Sequence, residues 1–417
     1  MVGTMEKIDD SVKKKVPELR FPGFTDDWEE RKLGEFSDVR DGTHASPKYV
    51  SQGHPMVTSK NLTHSGLDMT DVSFLTDEDF NEINKRSKVS IGDILFGMIG
   101  TIGNPVIVDR DDFAIKNVAL IKEKTSNPIT NKWLLPYLKS PSFNRFIQKE
   151  NAGGTQKFIA LGLIRDMKLR VPEFDEQQKI GSFFKQLDNT ITLHQRKLDL
   201  LKEQKKGYLQ KMFPKNGAKV PELRFAGFAD DWEERKLGQY TKLITKGTTP
   251  KDKTGIGDVN FVKVENITNG KIYPINKIKQ NEHDNYLKRS RLEEKDILFS
   301  IAGTLGRTAI VNKSILPANT NQALAIIRGY DFDTNFLITS LAGNVVKEYI
   351  RRNPTVGAQP NLSLEQVGNL LVNTPNAEEQ QKIGSFFKQL DDTIALHQFK
   401  LDLLKEQKKG FLQKMFV

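Results

Sequence analysis

The strongest constraint on this chain is that one unit is written in it twice. Residues 16–34 recur at 220–238 with two substitutions, and residues 176–213 recur at 379–416 with four substitutions in 38 positions. The copies are offset by 204 and 203 residues. That period is far longer than the repeat of a solenoid, so each copy is expected to have the size of a domain.

The segments between the repeated blocks have almost equal lengths, 141 residues at 35–175 and 140 residues at 239–378, but their sequences diverge strongly. A few landmarks still align, such as the Asp-Ile-Leu-Phe runs at 93–96 and 296–299. The two segments are therefore predicted to share a fold but not a surface. The repeated parts would contact the same partner twice, whereas the variable parts would contact two different partners.

These patterns divide the chain into six parts. We predict a disordered arm at 1–15, a first variable domain at 16–175, a first repeated helix at 176–213, a linker at 214–219, a second variable domain at 220–378 and a second repeated helix at 379–417. The variable domains are expected to be mixed α/β. Glycine-punctuated β-branched runs predict strands at 92–108 and 296–311. One-sided apolar spacing predicts helices at 132–150 and 333–351.

The repeated helices carry an apolar seam with alternating steps of four and three residues. A period of 3.5 residues sustained over this length is typical of a coiled coil. Two helices of equal length in one chain are expected to pair, here as an antiparallel coiled coil with pseudo-two-fold symmetry. The predicted seam residues are Ile180, Phe184, Leu187, Ile191, Leu198 and Leu201 in the first helix, and Ile383, Phe387, Leu390, Ile394, Leu401 and Leu404 in the second.

Composition excludes some classes of protein. The chain has no cysteine, which excludes disulfides and thiolate metal sites. No apolar run reaches the roughly 20 residues of a membrane span, so a soluble cytoplasmic protein is expected. The formal net charge of +10 permits a nucleic-acid partner without proving one.

Motifs for catalysis are missing. The Gly-rich segments at 97–103 and 303–306 are not followed by the Lys-Ser/Thr of a phosphate-binding loop. The six histidines show no metal-ligand spacing, so no metal site is predicted. We therefore interpret the chain as a binding scaffold without catalytic residues.

Two variable domains, each followed by a repeated helix that opens with Glu-Gln-Gln-Lys-Ile, resemble the DNA-specificity subunit of type I restriction–modification systems. The resemblance also rests on the Gly-Thr-His at 42–44, the Gly-Asp-Ile-Leu at 92–95 with the Gly-Thr-Ile-Gly at 100–103, and residues 172–177. It covers nearly the whole chain.

The resemblance implies that each variable domain reads one half of a bipartite, asymmetric site on double-stranded DNA. It implies that the helices space the two halves and dock two modification (methyltransferase) subunits, joined by ATP-dependent restriction subunits. Adenine methylation with S-adenosylmethionine, and cleavage driven by ATP with Mg, would belong to those partners. No cofactor is expected in this chain.

Polar residues on aligned loops are the candidates for contact with bases. Arg and Lys suit guanine, whereas Asn and Gln suit adenine. In the first domain the candidates are Thr43, His44, Lys48, Ser59, Lys60, Asn61, Thr155, Gln156 and Lys157; in the second they are Lys246, Thr248, Thr249, Lys251, Lys263, Glu265, Asn266, Arg307, Gln359 and Asn361. For the matching pairs Asn61/Asn266 and Gln156/Gln359, capping of a turn is an equal alternative. Positions that differ between the domains, such as Lys60/Glu265 and Asn104/Arg307, are better candidates for specificity.

Two other functions stay open at this point. One is a coiled-coil adaptor that holds two protein-binding domains without touching DNA. The charge distribution allows it, because six of the ten excess positive charges lie in the repeated helices. The other is a stand-alone enzyme, for which no constellation of residues argues.

Overall fold

The structure is a computed structural model that describes residues 15–64, 66–100, 102–150, 158–215, 217–352 and 361–417. The predicted disordered arm therefore lies outside the described residues except for Lys15, which forms an ion pair of 2.9 Å with Asp27. Within these ranges no helix has both the length and the apolar composition needed to cross a membrane.

The first variable domain alternates short strands and short helices. Its strands are β1 (Glu29–Lys32), β2 (Ser37–Asp41), β3 (His54–Val57), β4 (Leu62–Thr63), β5 (Gly66–Leu67), β6 (Ser73–Leu75), β7 (Ile94–Gly97), β8 (Gly103–Ile107), β9 (Ala114–Ile115), β10 (Val118–Glu123) and β11 (Lys168–Val171). Its helices are α1 (Leu33–Phe36), α2 (Asp77–Ser87), α3 (Asn131–Leu138), α4 (Pro141–Glu150) and α5 (Leu161–Asp166), and the long helix α6 (Phe174–Lys211) follows.

The second variable domain repeats this plan. Its strands are β12 (Glu233–Lys236), β13 (Thr241–Lys246), β14 (Val259–Val262), β15 (Ile267–Thr268), β16 (Lys271–Ile272), β17 (Asn276–Ile278), β18 (Ile297–Ser300), β19 (Thr308–Ile310), β20 (Ala318–Thr320), β21 (Leu324–Tyr330) and β22 (Leu371–Thr374). Its helices are α7 (Thr334–Leu341), α8 (Asn344–Arg352) and α9 (Leu364–Gly368), and the long helix α10 (Ala377–Lys414) follows.

Sheet topology is the same in both variable domains despite their divergent sequences. An antiparallel four-stranded sheet has the order β2-β10-β7-β8 in the first domain and β13-β21-β18-β19 in the second. A mixed three-stranded sheet has the order β6-β3-β9 and β17-β14-β20, with one parallel pair in each. The prediction that the variable segments share one mixed α/β fold is confirmed.

The four-stranded sheet is buried on both faces, which explains why its central strands are continuously apolar. Successive residues of a strand point to opposite faces. In β7, Ile94 and Phe96 join the core shared with the helices, whereas Leu95 joins a second core with Val118 and Leu120. In β18, Ile297 and Phe299 likewise join the core shared with the helices, whereas Leu298 joins a second core.

Each long helix spans 38 residues and begins two residues before its predicted start. All twelve predicted seam residues are buried or half-buried, including Leu198 and Leu401, which are each 1% exposed. The helices continue through Gly207 and Gly410 without interruption. The helix prediction is confirmed, whereas coiled-coil packing in the strict sense stays a prediction.

Two compact units emerge, and each takes one part of both long helices. Unit 1 comprises Met1–His194 and Lys400–Val417, and unit 2 comprises Gln195–Phe399. Within unit 1, the Phe183 and Phe411 rings lie 5.0 Å apart between centroids, and Lys408 pairs with Asp188 at 2.5 Å. From the first contact to the second, the residue number rises along α6 and falls along α10, so the two helix segments run antiparallel.

Unit 2 contains the same contacts with the helices exchanged. Its counterparts are the ring pair Tyr208–Phe386, with centroids 5.0 Å apart, and the ion pair Lys205–Asp391. Such an exchange of partners is the mark of a two-fold internal repeat. The end of α10 also completes the core of the first variable domain, where Phe416 contacts Trp133 and Phe184. The end of α6 does so in the second domain through Phe213.

A buried ion pair fastens each variable domain to the start of its long helix. The Arg20 guanidinium donates two hydrogen bonds, of 2.8 and 2.7 Å, to the Glu176 carboxylate, whose side chain is fully buried. Trp28 adds a third donor to that carboxylate at 3.1 Å. Arg224 and Glu379 repeat the pair with two bonds of 2.7 Å. The near-identical blocks are therefore explained in part by contacts inside the chain.

Two glycines allow the long helices to approach the variable domains closely. A Cβ atom at Gly181 would lie 2.7 Å from Lys132 Cβ and 2.8 Å from the Lys132 carbonyl. A Cβ atom at Gly384 would lie 2.4 Å from Asp333 Oδ1. No side chain fits at either crossing without moving backbone.

Glu176→Gln is expected to destabilise unit 1 by about 3–5 kcal/mol, because it leaves the Arg20 charge without its buried partner. The matched control is Glu29→Gln, since Glu29 also pairs with an arginine, Arg31, but is 70% exposed; its cost is expected to be under ~1 kcal/mol. Urea denaturation, with hydrogen exchange read separately in each unit, measures both. Equal effects of the two variants would contradict the structural role of the buried pair.

Gly181→Ala is expected to destabilise the chain by about 1–3 kcal/mol through overpacking. Gly207→Ala in the same helix should instead stabilise it by about 1 kcal/mol, because nothing lies within 4 Å of the added Cβ and alanine is the better helix former. Thermal denaturation of the two variants compares them directly. Changes of the same sign would overturn the close approach at residue 181.

Candidate nucleic-acid interface

Two loops of the first variable domain meet beside the end of β9. The chain leaves β2 through Gly42, whose hypothetical Cβ would lie 2.3 Å from the Ile115 carbonyl oxygen. Thr43 then donates its N–H to that oxygen at 3.0 Å, and Asn117 donates its own N–H to the Thr43 carbonyl at 3.1 Å. From the other side, the Ser59 hydroxyl donates to the Asn117 carbonyl at 3.2 Å. The predicted segments around 43 and 59 are thus brought together through Asn117.

A chain of polar contacts orders the side chains at this junction. Arg86 pairs with Asp41, whose carboxylate lies 2.9 Å from His44 Nε2. The other ring nitrogen, Nδ1, lies 2.7 Å from Asn117 Oδ1. The hydrogen bond to Asn117, followed by that to Asp41, raises the pKa of His44, because the protonated ring donates to both neighbours. His44 is exposed, so this network reaches the surface.

The second variable domain builds the same junction from different side chains. A Cβ atom at Gly247 would lie 2.1 Å from the Thr320 carbonyl oxygen, and Thr248 donates its N–H to that oxygen at 2.9 Å. Thr249, in the place of His44, hydrogen-bonds Gln322 Oε1. Further along, the Lys251 N–H donates to Glu282 at 2.8 Å, and its ammonium lies 4.5 Å from the centre of the Tyr286 ring.

The paired asparagines Asn61 and Asn266 cap single 3₁₀ turns, at Ser59–Asn61 and Val264–Asn266. Asn61 accepts from the Thr58 N–H at 2.9 Å and donates to the carbonyls of Asp68 and Asp71. Asn266 accepts from the Lys263 N–H at 2.8 Å. Both are 2% exposed and Ser59 is 5% exposed. The structure therefore favours the capping interpretation for the two asparagines, and contact of these three residues with DNA stays a prediction.

Residues that differ between the domains lie on the surface beside these turns. Lys60 forms an ion pair of 2.9 Å with Asp71, whereas its counterpart Glu265 lies 3.8 Å from Lys263. Asn104 donates to the Leu62 carbonyl at 3.0 Å, and Arg307 lies 3.3 Å from the equivalent Ile267 carbonyl. One position thus braces the same turn in both domains with two different side chains.

The other candidates divide into two groups. Lys48, Lys246 and Asn361 are exposed, and Asn361 forms an isolated bridge with Ala302. Thr155, Gln156, Lys157 and Gln359 lie outside the described residues. The described residues that follow these segments lie beside β7 and β18. There the Ile159 N–H donates to the Met98 carbonyl at 3.0 Å, and the Leu362 N–H donates to the Ile301 carbonyl at 2.8 Å.

The site offers side chains that donate and accept hydrogen bonds. Amides, hydroxyls, an imidazole and a guanidinium are the groups that read base edges. Among the described residues, no three His, Asp or Glu side chains are grouped so as to hold a metal ion. Asn117, Gln322 and Arg86 are not among the residues predicted from the sequence. Asn117 could have been found as an amide that directly precedes the apolar run of β10, and Gln322 as one that precedes the run of β21 with Ala323 between them.

Asn61→Ala is expected to cost about 1–3 kcal/mol of stability, because it removes the hydrogen bonds that the buried Asn61 side chain makes with the Thr58 N–H and with two carbonyls. Lys60→Ala, one residue away on the exposed side of the same turn, should change stability by less than ~0.5 kcal/mol. Urea denaturation of both variants tests the capping role. A neutral Asn61→Ala would contradict the capping role.

Comparison with known proteins matches this geometry to one family. The family model for the type I restriction modification DNA specificity domain matches residues 25–203 and 229–406. The chain is 25% identical over 407 residues to the putative type I restriction enzyme MjaX specificity subunit of Methanocaldococcus jannaschii, covering 93% of this chain and 92% of that protein.

Solved structures share the fold. The S subunit of a type I restriction–modification system from M. genitalium superposes with a TM-score of 0.64 at 15% identity, over 96% of this chain and 99% of that one. A chain from a study of complex assembly and conformational transition of the type I R-M system superposes with a TM-score of 0.52 at 17% identity, over 95% and 98%. The two matched segments together span more than half of the sequence, and the chain belongs to the family of type I restriction modification DNA specificity domains, which it carries in tandem.

Proposed function

We propose that this chain is the subunit that selects the DNA sequence for a type I restriction–modification complex, with each variable domain reading one half of a bipartite, asymmetric site. The observation that carries the proposal is the pair of domains with one topology and two different surfaces. Two copies of the same reader on near-identical helices suit two half-sites. Different side chains at equivalent positions suit two different half-site sequences.

DNA binding would combine lysines that contact phosphates with polar groups that read bases. Lys48, Lys60, Lys246 and Lys251 are exposed on or beside the converging loops of the two domains. Because the net charge of +10 is spread over 417 residues, the chain alone would bind weakly at physiological salt. Partner subunits would supply the remaining neutralisation.

Repeated surface leucines on the long helices support docking of two copies of one partner. Leu193 and Leu200 on α6 are 68% and 51% exposed, and their counterparts Leu396 and Leu403 on α10 are 50% and 47% exposed. Large apolar side chains exposed at the same place in two near-identical helices are suited to a repeated protein contact. We assign this surface to two modification subunits.

Chemistry would reside in those partners. The modification subunits would methylate adenine with S-adenosylmethionine, and restriction subunits would use ATP and Mg for translocation and cleavage. This chain would supply the binding energy and the spacing. It would take no part in bond breaking.

Lys48→Gln and Lys246→Gln, each in the assembled complex, test the DNA surface. We expect weaker binding to all sequences, with the slope of log affinity against log salt reduced by about 0.9 for each phosphate that is no longer neutralised. Lys85→Gln, which removes an exposed charge on α2, is the control. An unchanged salt slope in both test variants, measured by titration of labelled DNA, would remove these lysines from the interface.

Leu200→Asp combined with Leu403→Asp tests the docking surface. Both side chains are half-exposed, so the isolated chain should keep its stability while binding of the modification subunit falls at least tenfold. Leu198→Asp combined with Leu401→Asp is the contrasting pair, because each of these places a charge in a buried position and should unfold the helices. Size-exclusion chromatography with light scattering reads stoichiometry. Normal assembly of the Leu200/Leu403 variant would place the docking surface elsewhere.

The adaptor alternative makes an opposite prediction. It requires tight binding of the protein partner that DNA neither competes with nor enhances. Titration of the assembled complex with specific and non-specific DNA distinguishes the two functions.

A further inference from the structure

The amide side chains of Asn117 and Gln322 occupy equivalent places in the two variable domains. Each lies between the parallel strand of the three-stranded sheet, β9 or β20, and the next strand of the four-stranded sheet, β10 or β21. Gly42 and Gly247 are the equivalent glycines of the two domains. The residue two positions after each of them, His44 or Thr249, forms a hydrogen bond with the side-chain oxygen of the amide. Each amide therefore lies two residues after the parallel strand and is bonded by a side chain from the loop that follows the shared glycine.

The backbone of Asn117 is held in place as well as its side chain. Its φ of 55° lies in the left-handed region, which asparagine tolerates better than other residues that carry a side chain. Its N–H and C=O are both bonded, to Thr43 at 3.1 Å and to Ser59 at 3.2 Å. The backbone of Asn117 is therefore fixed between the two loops that meet at this junction.

The hydrogen bond from His44 fixes the orientation of the Asn117 amide but uses only one of its hydrogen-bonding positions. An amide oxygen has two lone pairs and the NH₂ group has two donors. His44 takes one lone pair of Oδ1. Among the described residues, Nδ2 of Asn117 and Nε2 of Gln322 have no hydrogen-bond partner. Each amide thus keeps one acceptor and two donors on a part of the side chain that is not fully buried.

That remaining set is the one that recognises adenine. An Asn or Gln amide binds the major-groove edge of adenine with two bonds, its oxygen accepting from N6–H and its NH₂ donating to N7. We propose that Asn117 and Gln322 are specificity-determining residues that each contact one base edge in their own half-site, with His44 and Thr249 as positioning residues. This inference rests on the proposed function. The extra methylene of Gln322, and its different positioning residue, give the second domain a different reach.

Asn117→Asp and Asn117→Gly test the first amide within the complex of this chain and its modification subunit. The aspartate keeps the shape but replaces the NH₂ donors with an acceptor, and glycine keeps the left-handed backbone without a side chain. Single-molecule sequencing of methylated DNA should show discrimination at one base pair of one half-site reduced roughly tenfold to hundredfold. The other half-site should be unchanged. Gln322→Glu should produce the reverse pattern, and since Gln322 is exposed, its replacement does not endanger the fold.

The hydrogen bond between the ring and the amide has a separate readout. Proton NMR titration of the histidines in the full chain should show the pKa of His44 falling in Asn117→Gly, because the first cause of its raised pKa is removed. A His44 pKa that does not move would show that the ring does not position the amide, and would overturn that part of the proposal.

The outcomes separate the inference from the function on which it rests. If the wild-type complex methylates a bipartite sequence and all three variants keep both halves with full discrimination, the amides are structural only and the inference is wrong. If the wild-type complex methylates without sequence preference, the proposed function fails first. Relaxation of both half-sites by a single variant would contradict the assignment of one amide to one half.

Discussion

The buried pair of Arg20 with Glu176, and of Arg224 with Glu379, is the interaction on which the rest of the structure depends. Each joins the block that opens a variable domain to the block that opens the following long helix. A buried carboxylate is tolerated only when its charge and lone pairs are satisfied. The identity of these blocks in the two copies is therefore a requirement of folding, and it frees the segments between them to diverge.

The ends of the long helices extend this constraint to the other half of the chain. Phe416, just after α10, completes the aromatic core of the first variable domain, and Phe213, just after α6, completes that of the second. Each variable domain thus requires the helix that follows it and the helix of the other copy. Unit 1 combines two separate stretches of sequence, whereas unit 2 is the continuous stretch between them. This arrangement suits a protein in which two readers are to be held by one frame.

The sequence alone predicted the internal repeat, the long helices and the buried seam, because apolar periodicity and near-identity are properties of the chain itself. It also predicted the shared mixed α/β fold. It did not distinguish Asn61, which caps a turn, from Lys60 beside it, because burial of a polar residue depends on contacts such as those with Asp68 and Asp71. It missed Asn117 for the same reason. Its link to His44 joins residues 73 positions apart in the chain.

The most direct test of the account is methylation mapping by single-molecule sequencing of DNA from cells that express this chain with its modification subunit. The mapping is repeated after residues 239–376 are replaced by the equivalent segment of a relative, which leaves both helices and both buried ion pairs in place. We expect a split, adenine-containing motif in which one half changes while the other half and the spacing stay the same. An assembled complex that methylates without sequence preference, or an exchange that alters both halves, would contradict it.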